Sequence, residues 1–340
     1  MSGTMPGQRE LGRRELLRLG LFAGLIGLAG CGRGSEAPLL RATPETLPKK
    51  WRRILPKPWS YKPLNADLGR EPFSSALEQG ADLLALGDGW LASLPEQELQ
   101  PIDAAALEDR LDDLQARTFM ASLGPALHSR VLPVGVSPWV LLFRQGDPWL
   151  SQARSSWQVL LDPALKGLVV LPQSPRLLMA LAERMEVPDG LRLLRTQAYA
   201  SDDRQGLNWL TQGKARVAVL PLQRCMHSLR RDPRLSVVLP NSGAPLNWTV
   251  LVRSALTREP LPQSWVKQSW DKPLLGQLLA GGWIPPLPRA ELHRALGMIP
   301  KAYQSIVLPS QEVWSRCWSL PPLTATQQVE LEQRWSQSTP

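Results

Sequence analysis

The sequence has few of the residues that build metal and thiol sites. Its 340 residues include three histidines and three cysteines. His128, His227 and His293 lie far apart in the chain, and no two cysteines are closely spaced. Zinc is normally held by such side chains in closely spaced pairs. We therefore expect no metal site and no cofactor.

Familiar catalytic motifs are also missing. The sequence contains no Gly-x-Ser-x-Gly turn for a nucleophile, no phosphate-binding loop and no His-Glu-x-x-His helix. Its carboxylate pairs, Asp82 with Asp88 and Asp202 with Asp203, are of a kind common in turns and on surfaces. The sequence therefore favours a protein that is not an enzyme.

The apolar run near the start, residues 19–29, is shorter than the roughly 20 apolar residues of a membrane span. Four arginines precede it, and Leu-Ala-Gly-Cys at residues 28–31 closes it. This order is that of an export signal, and Leu-Ala-Gly-Cys is the sequence at which bacterial lipoproteins are cleaved and lipidated. We expect residues 1–30 to be removed, Cys31 to be diacylated, and residues 31–38 to tether the protein to the lipid bilayer.

The export route stays open at this point. Residues 12–18, Gly-Arg-Arg-Glu-Leu-Leu-Arg, resemble a twin-arginine signal, although glycine and leucine stand at two positions where that signal usually has other residues. The general secretory route is the alternative. Either route predicts a periplasmic protein that acylated Cys31 holds at a membrane.

The composition is that of a globular protein with a basic excess. The chain carries 39 basic and 30 acidic residues, a net charge of +9, and 43% of its residues are hydrophobic. Basic residues are scattered except at residues 49–53, Lys-Lys-Trp-Arg-Arg, so we expect no nucleic acid partner. That run fits either the solvated face of a helix or attraction to anionic lipid headgroups. Cys225 and Cys317 fit either a disulfide or two buried free thiols.

Strand and helix patterns alternate along the mature chain. Strands are predicted at 39–42, 59–62, 81–86, 167–171, 216–220, 236–240 and 246–252, with two strands divided by turn residues at 130–143. Helices are predicted at 45–55, 73–79, 90–97, 104–117, 175–186 and 204–212, around Trp157, and over most of the chain from Pro262 onward. This alternation predicts a parallel α/β sheet with ligand loops at the carboxyl ends of its strands.

Three segments carry a resemblance to a known family. Residues 81–103 combine an apolar strand, a small-residue loop and Leu-Gln-Pro-Ile-Asp. Residues 156–167 read Ser-Trp-Gln-Val-Leu-Leu-Asp-Pro-Ala-Leu-Lys-Gly, and residues 213–219 precede a strand, a turn and a crossing strand at 235–252. In this order the segments resemble the type 2 periplasmic solute-binding proteins, specifically the spermidine/putrescine-binding branch of ABC transporter receptors.

The resemblance spans most of the mature chain and implies a fold and partners. The fold is α/β and bilobal, the type 2 periplasmic-binding-protein fold, with two α/β lobes joined by crossing strands. Residues 39–137 are the first part of lobe 1, residues 138–246 are lobe 2, and residues 247–340 are the return to lobe 1 with the C-terminal helices. The implied partners are a small-molecule ligand in the cleft between the lobes and an ABC permease in the membrane.

Candidate ligand-binding residues follow from the same resemblance. It places Asp88 and Trp90 in the first ligand loop, Trp139 at the first crossing, and Asn247 and Trp248 at the second. Carboxylates and aromatic faces suit the ammonium groups and the methylene chain of a polyamine. We expect alanine at Trp139 or Trp248 to weaken ligand binding by ~1–3 kcal/mol without unfolding the protein. Packing between the lobes is the alternative role of these tryptophans.

Two positions depart from the polyamine-binding pattern. Polyamine-binding members of the family have acidic residues after the strand that corresponds to residues 168–171, where this chain reads Pro-Gln-Ser-Pro-Arg-Leu. Thr249 stands where the family has an aspartate after its tryptophan. The resemblance predicts a lipid-anchored substrate-binding protein of an ABC importer for a small polar or cationic, polyamine-like solute. A degenerate binding-protein fold that acts as a structural or regulatory adaptor lipoprotein is the alternative.

Overall fold

The computed structural model describes residues 37–43, 45–64, 80–144 and 148–339. The export signal, Cys31 and the helix predicted at 73–79 lie outside the described residues. Leu39–Pro340 forms one compact unit. In the part of the chain that is described, no helix is long and apolar enough to cross a membrane.

The strands follow the predicted order closely. They are β1 (Leu39–Ala42), β2 (Ser60–Pro63), β3 (Leu83–Gly87), β4 (Leu99–Gln100), β5 (Val131–Arg144), β6 (Val169–Leu171), β7 (Ala198–Ser201), β8 (Val217–Pro221), β9 (Leu235–Val238) and β10 (Leu246–Ser254). The prediction at 39–42 is confirmed. β7 is not among the predicted strands, because its sequence Ala-Tyr-Ala-Ser is short and shows little strand character. In the structure the strand is only partly buried.

The α-helices are short, apart from two. They are α1 (Lys49–Arg52), α2 (Ala105–Glu108), α3 (Ala116–Ser122), α4 (Gly124–His128), α5 (Leu150–Ser155), α6 (Pro175–Met185), α7 (Gly190–Thr196), α8 (Gly206–Thr211), α9 (Leu222–Leu229), α10 (Gln263–Trp270), α11 (Leu274–Leu279), α12 (Arg289–His293), α13 (Lys301–Val307), α14 (Gln311–Ser315) and α15 (Ala325–Gln337). Short 3₁₀ helices span Asp88–Ser93, Glu96–Glu98, Trp157–Leu161, Pro163–Leu165 and Leu296–Met298.

The sheet is mixed. β1 pairs in parallel with β2 and β3, while β10 runs antiparallel between β3 and β5. β8 pairs antiparallel with β5, and the parallel strands β6 and β7 continue the sheet beyond it. The order is β2-β1-β3-β10-β5-β8-β6-β7, with β4 on β10 and β9 on β5. The predicted α/β class is confirmed.

One long strand, β5, joins the two halves of the sheet. Residues 131–138 pair with β10, and residues 139–144 pair with β8 and β9. We call the half with β1–β4, β10 and residues 131–138 the first lobe, and the half with β6–β9 and residues 139–144 the second lobe. The prediction of two separate strands is wrong, because paired neighbours keep the whole segment extended despite its proline and glycine residues.

A tryptophan cluster ties α1 to α10. The rings of Trp51 and Trp265 stack at 4.2 Å, and each indole N–H donates to the other residue's carbonyl, at 3.0 and 3.1 Å. Trp283 packs against Trp51 at 5.2 Å between ring centroids. The helix predicted at 45–55 is reduced to α1, because Pro48 has no N–H to donate and stands at its N-cap. The basic run is thereby divided, with Trp51 buried and Lys49 and Lys50 exposed.

Cys225 and Cys317 are both buried and free. Each thiol donates to a carbonyl four residues earlier, that of Pro221 and that of Val313, at 3.5 Å. Of the two alternatives from the sequence, the pair of buried free thiols is the one found. The disulfide is absent between these described residues.

Candidate functional site

A cavity of about 440 Å³ lies where elements of the two lobes meet. The first lobe contributes Glu45 and the start of α1, in the segment that follows β1. The second lobe contributes the segment after β7 and the helix α9 after β8. The turn that leads from α11 to Trp283 forms a further wall. Carboxyl ends of strands are where α/β folds bind ligands, so this cavity is the candidate ligand cleft.

The cleft is lined mainly by basic side chains. Lys49 and Lys50 come from α1, and the second lobe supplies three arginines and a histidine, which are Arg204, Arg224, Arg230 and His227. The acidic residues of the lining are Glu45 and Asp203. With histidine neutral, five cationic groups face two anionic ones, a balance of +3.

Arg224 connects the two lobes across the cleft. Its Nε lies 2.6 Å from Oε2 of Glu45, and another nitrogen of the same guanidinium donates to Oδ2 of Asp203. The adjacent Gln223 adds a second link, because its Nε2 donates to the carbonyl of Glu45 at 3.2 Å. Both lining carboxylates are therefore already paired with a cation that belongs to the protein itself.

Trp283 is the large aromatic residue of the cleft wall, and its environment fixes its position. Its Nε1 donates to Oγ1 of Thr249 at 3.3 Å, and that hydroxyl lies 3.4 Å from the carbonyl of Thr46. The ring covers Gly135 of β5 so closely that a Cβ at this glycine would lie 2.0 Å from Cζ2 of the indole. Thr249, where the resemblance implies an aspartate, is thus engaged in holding the tryptophan.

Asp88 is a buried carboxyl that is not part of the cavity lining. It is 6% exposed and begins the 3₁₀ helix after β3. The backbone N–H of Trp248 donates to its Oδ1 at 3.1 Å, which links β3 to β10. Burial raises the pKa of Asp88 to about 7, against the opposing effects of this hydrogen bond and of the positive charge of Arg176. Arg176 belongs to α6 of the second lobe, and burial lowers its pKa while Asp88 opposes that effect.

Trp248 is a core residue in this structure. Its side chain is fully buried, its ring stacks on Phe119 at 4.7 Å, and its Nε1 donates to Oγ of Ser319 at 2.8 Å. Successive side chains of a strand point to opposite faces, so Trp248 faces away from the side that Asn247 and Thr249 share. This burial favours the packing role that the sequence left open as the alternative, and the ligand-facing role of Trp248 stays a prediction. A cavity of about 20 Å³ beside this ring has room for little more than a water molecule.

The remaining predicted site residues are partly exposed. Trp90 lies in the 3₁₀ helix after β3, Trp139 is the β5 residue just past the partner change, and Asn247 is near the start of β10. Asp88 and the four other predicted residues are not among the described residues that line the 440 Å³ cavity. The structure thus brings together a different set from the one that sequence reasoning selected.

Sequence reasoning missed Arg204, Gln223, Arg224 and Trp283. A signal for Gln223 and Arg224 was available, because they directly follow a strand predicted at 216–220, where α/β folds place ligand loops. Arg204 had no such signal, since β7 was not predicted. Trp283 reaches the cleft through a turn after α11, which sequence patterns do not locate.

Three solved structures share this architecture. The spermidine/putrescine ABC transporter substrate-binding protein of Streptococcus pneumoniae is 12% identical, has a TM-score of 0.64, and covers 89% of this chain and 99% of its own. Thiaminase I from Bacillus thiaminolyticus is 15% identical, with a TM-score of 0.58 over 89% of this chain and 99% of its own. The ferric binding protein from Campylobacter jejuni is 12% identical and has a TM-score of 0.54, and the match covers 88% of this chain and 98% of its own.

These likenesses show the fold: the chain has the bilobal type 2 periplasmic-binding-protein fold. No protein-family model matches the chain, and no curated protein does. The three proteins are named for different ligands, and one of them, thiaminase I, is an enzyme. The fold alone is therefore compatible with solute binding and with catalysis.

Proposed function

We propose that the protein is a lipid-anchored substrate-binding protein of an ABC importer, which captures a small polar solute between its lobes and presents it to a membrane permease. The observation that carries this proposal is the cavity of about 440 Å³, whose lining comes from both lobes. Its volume lies in the range of small-molecule sites. A ligand that touches both lobes stabilises their closed arrangement, which is the state a permease can distinguish.

A non-catalytic role is part of the proposal. Burial raises the pKa of the Cys225 thiol to about 12 and that of Cys317 to about 11. A thiol is nucleophilic as the thiolate, so neither cysteine is activated at neutral pH. Both lining carboxylates pair with Arg224, which leaves them poorly placed to accept a proton from a substrate.

The division into lobes at residues 39–137, 138–246 and 247–340 is also a proposal. Its support, to within one residue at each boundary, is the change of partner within β5, where Pro138 pairs with Leu246 and Trp139 pairs with Pro221. β10 begins at Leu246 and carries the chain back into the first lobe. The chain thus passes between the lobes within β5 and again where it enters β10, as a hinge requires.

The first test is a thermal-shift screen of the exported, mature protein in detergent against amino acids, sugars, polyamines, organic anions and metal ions. A solute that binds only the native state adds ~2.7 kcal/mol to the free energy of unfolding at 100 times its dissociation constant. We expect at least one class to raise the melting temperature. If no compound changed the melting temperature, that result would favour the adaptor role.

Membrane anchoring is tested by Cys31→Ser. We expect the variant to incorporate no labelled fatty acid, because both acyl chains depend on this cysteine and serine accepts neither. Metabolic labelling with a radioactive fatty acid, followed by immunoprecipitation, measures acylation, and Ser35→Ala is the matched control, expected to stay labelled. Labelling of Cys31→Ser at the level of the wild type would contradict lipid anchoring through this residue.

A further inference from the structure

We infer, on the basis of the proposed function, that the cargo of the cleft is an organic anion with two or more negative charges rather than a polyamine. The lining has five cationic groups and two anionic ones. Like charges gathered in one concave site raise its positive potential and concentrate anions there. A polyamine would add to that repulsion, whereas a multiply charged anion relieves it.

The cations that surround the cavity are available to a ligand. Lys49, Lys50 and Arg204 are exposed, and none of them has an ion pair among the described residues. Arg230 is also exposed, and its Nη1 donates to the carbonyl of Ala280 at 3.3 Å, which leaves its other donors for a ligand. These four groups come from both sides of the cleft, since α1 carries the lysines and the second lobe carries the arginines.

The carboxylates that a polyamine would need are not available in the cavity. Glu45 and Asp203 both contact the guanidinium of Arg224, so an ammonium group could reach either only by displacing that pairing. Thr249 holds Trp283 where the resemblance implies an aspartate. Asp88 lies outside the cavity lining and accepts the N–H of Trp248. A desolvated ammonium without a carboxylate partner is costly.

The apolar part of the lining points to an organic ligand rather than a simple inorganic ion. Leu207, Leu220, Leu278 and Trp283 contribute to the wall. The volume of about 440 Å³ is also much larger than a single phosphate or sulfate ion needs. Carboxylate and phosphate groups both suit lysine and arginine donors, so the shared chemistry is an organic polyanion.

The test uses isothermal titration calorimetry on the exported, mature protein with citrate, glucose 6-phosphate, inorganic phosphate and spermidine. We expect citrate or glucose 6-phosphate to bind more tightly than inorganic phosphate, and spermidine not to bind. Which of the two organic anions is preferred distinguishes carboxylate recognition from phosphate recognition. If inorganic phosphate bound as tightly as citrate and glucose 6-phosphate, the inference that the anion is an organic molecule would be overturned.

Variants then locate the binding. Lys49→Glu/Lys50→Glu is expected to weaken the preferred anion about tenfold or more, equivalent to ~1.4 kcal/mol or more. Lys267→Glu/Lys301→Glu is the matched control, since it changes the same net charge at exposed helix positions away from the cavity. An equal loss in both double variants would show a general charge effect and overturn the assignment to the cleft.

The anionic cargo and solute binding itself are tested by different outcomes. A protein that binds spermidine, or a cationic or neutral solute of the wider screen, but no organic anion would overturn the anionic cargo and leave solute binding in place. A protein that binds no compound in either experiment would overturn both.

Discussion

Replacing Asp88 by asparagine is expected to stabilise the protein at pH 8 by up to about 4 kcal/mol and to change its stability little at pH 4. Asparagine keeps an oxygen that can accept the N–H of Trp248, now 3.1 Å from Oδ1 of the aspartate. It also removes the carboxylate that burial makes unfavourable. The measurement is urea unfolding of the wild type and the variant at a series of pH values between 4 and 8.

The direction of this pH dependence of stability follows from the shift in the pKa of Asp88. Burial raises it from 3.8 to about 7, so between these values the folded protein binds a proton that the unfolded chain has released. The free energy of unfolding therefore falls as the pH rises from about 4 to 7, and the loss is complete above the folded pKa. Because asparagine does not titrate, the difference between the two proteins isolates this group from all other titrations.

Asp113→Asn serves as the control for the pH series. The Asp113 side chain is 92% exposed, so its replacement should leave a difference that is small and nearly independent of pH. If Asp88→Asn and the wild type had equal stability at pH 8, the carboxyl would not be desolvated as the structure indicates.

Replacing Trp248 by alanine is expected to lower the free energy of unfolding by about 3–5 kcal/mol, the range for deleting a large buried aromatic side chain. The change removes the stack on Phe119 and leaves Oγ of Ser319 without its indole donor. Urea unfolding measures the loss. A ligand-contacting Trp248 would instead lose ligand affinity with little change in the free energy of unfolding, so the same variant distinguishes the two roles.

Trp139→Ala is the matched control, because it deletes the same atoms from a ring that is only partly buried. Its cost should be smaller by about 1 kcal/mol or more, since part of the ring already contacts water. A loss in Trp248→Ala no larger than that in Trp139→Ala would contradict the placement of Trp248 in the core. Ligand affinity, measured on the folded fraction of each variant, then tests whether Trp139 contacts the cargo.

Much of the architecture could be predicted because local patterns carry it. β1 at Leu39–Ala42 and the long helix α6 at Pro175–Met185 were anticipated, the latter from a proline at its first position after Ser174. The predictions failed where neighbours decide the outcome. β5 stays extended through Pro138 because strands pair along its whole length, and β7 forms beside β6 from a sequence with little strand character of its own.

The site was harder to predict than the fold. Lys49 and Lys50 were noticed as a basic run, but their place beside the cleft depends on Trp51, whose ring packs on Trp265 more than 200 residues later. Asp88 is predicted to contact the ligand, and in the structure it is buried, with its carboxyl accepting the backbone N–H of Trp248 in β10. Each outcome depends on contacts between distant segments, which no local pattern specifies.

The sequence by itself determined the alternation of strands and helices, the basic excess and the predicted lipidation signal, because these follow from residue order within short windows. Only the tertiary structure decided which charges meet. The pairing of Arg224 with Glu45 and Asp203, the closure of Trp283 over Gly135 and the burial of Asp88 require elements far apart in the chain to pack together. Electrostatic interactions and burial depend on distance in space, and folding sets that distance.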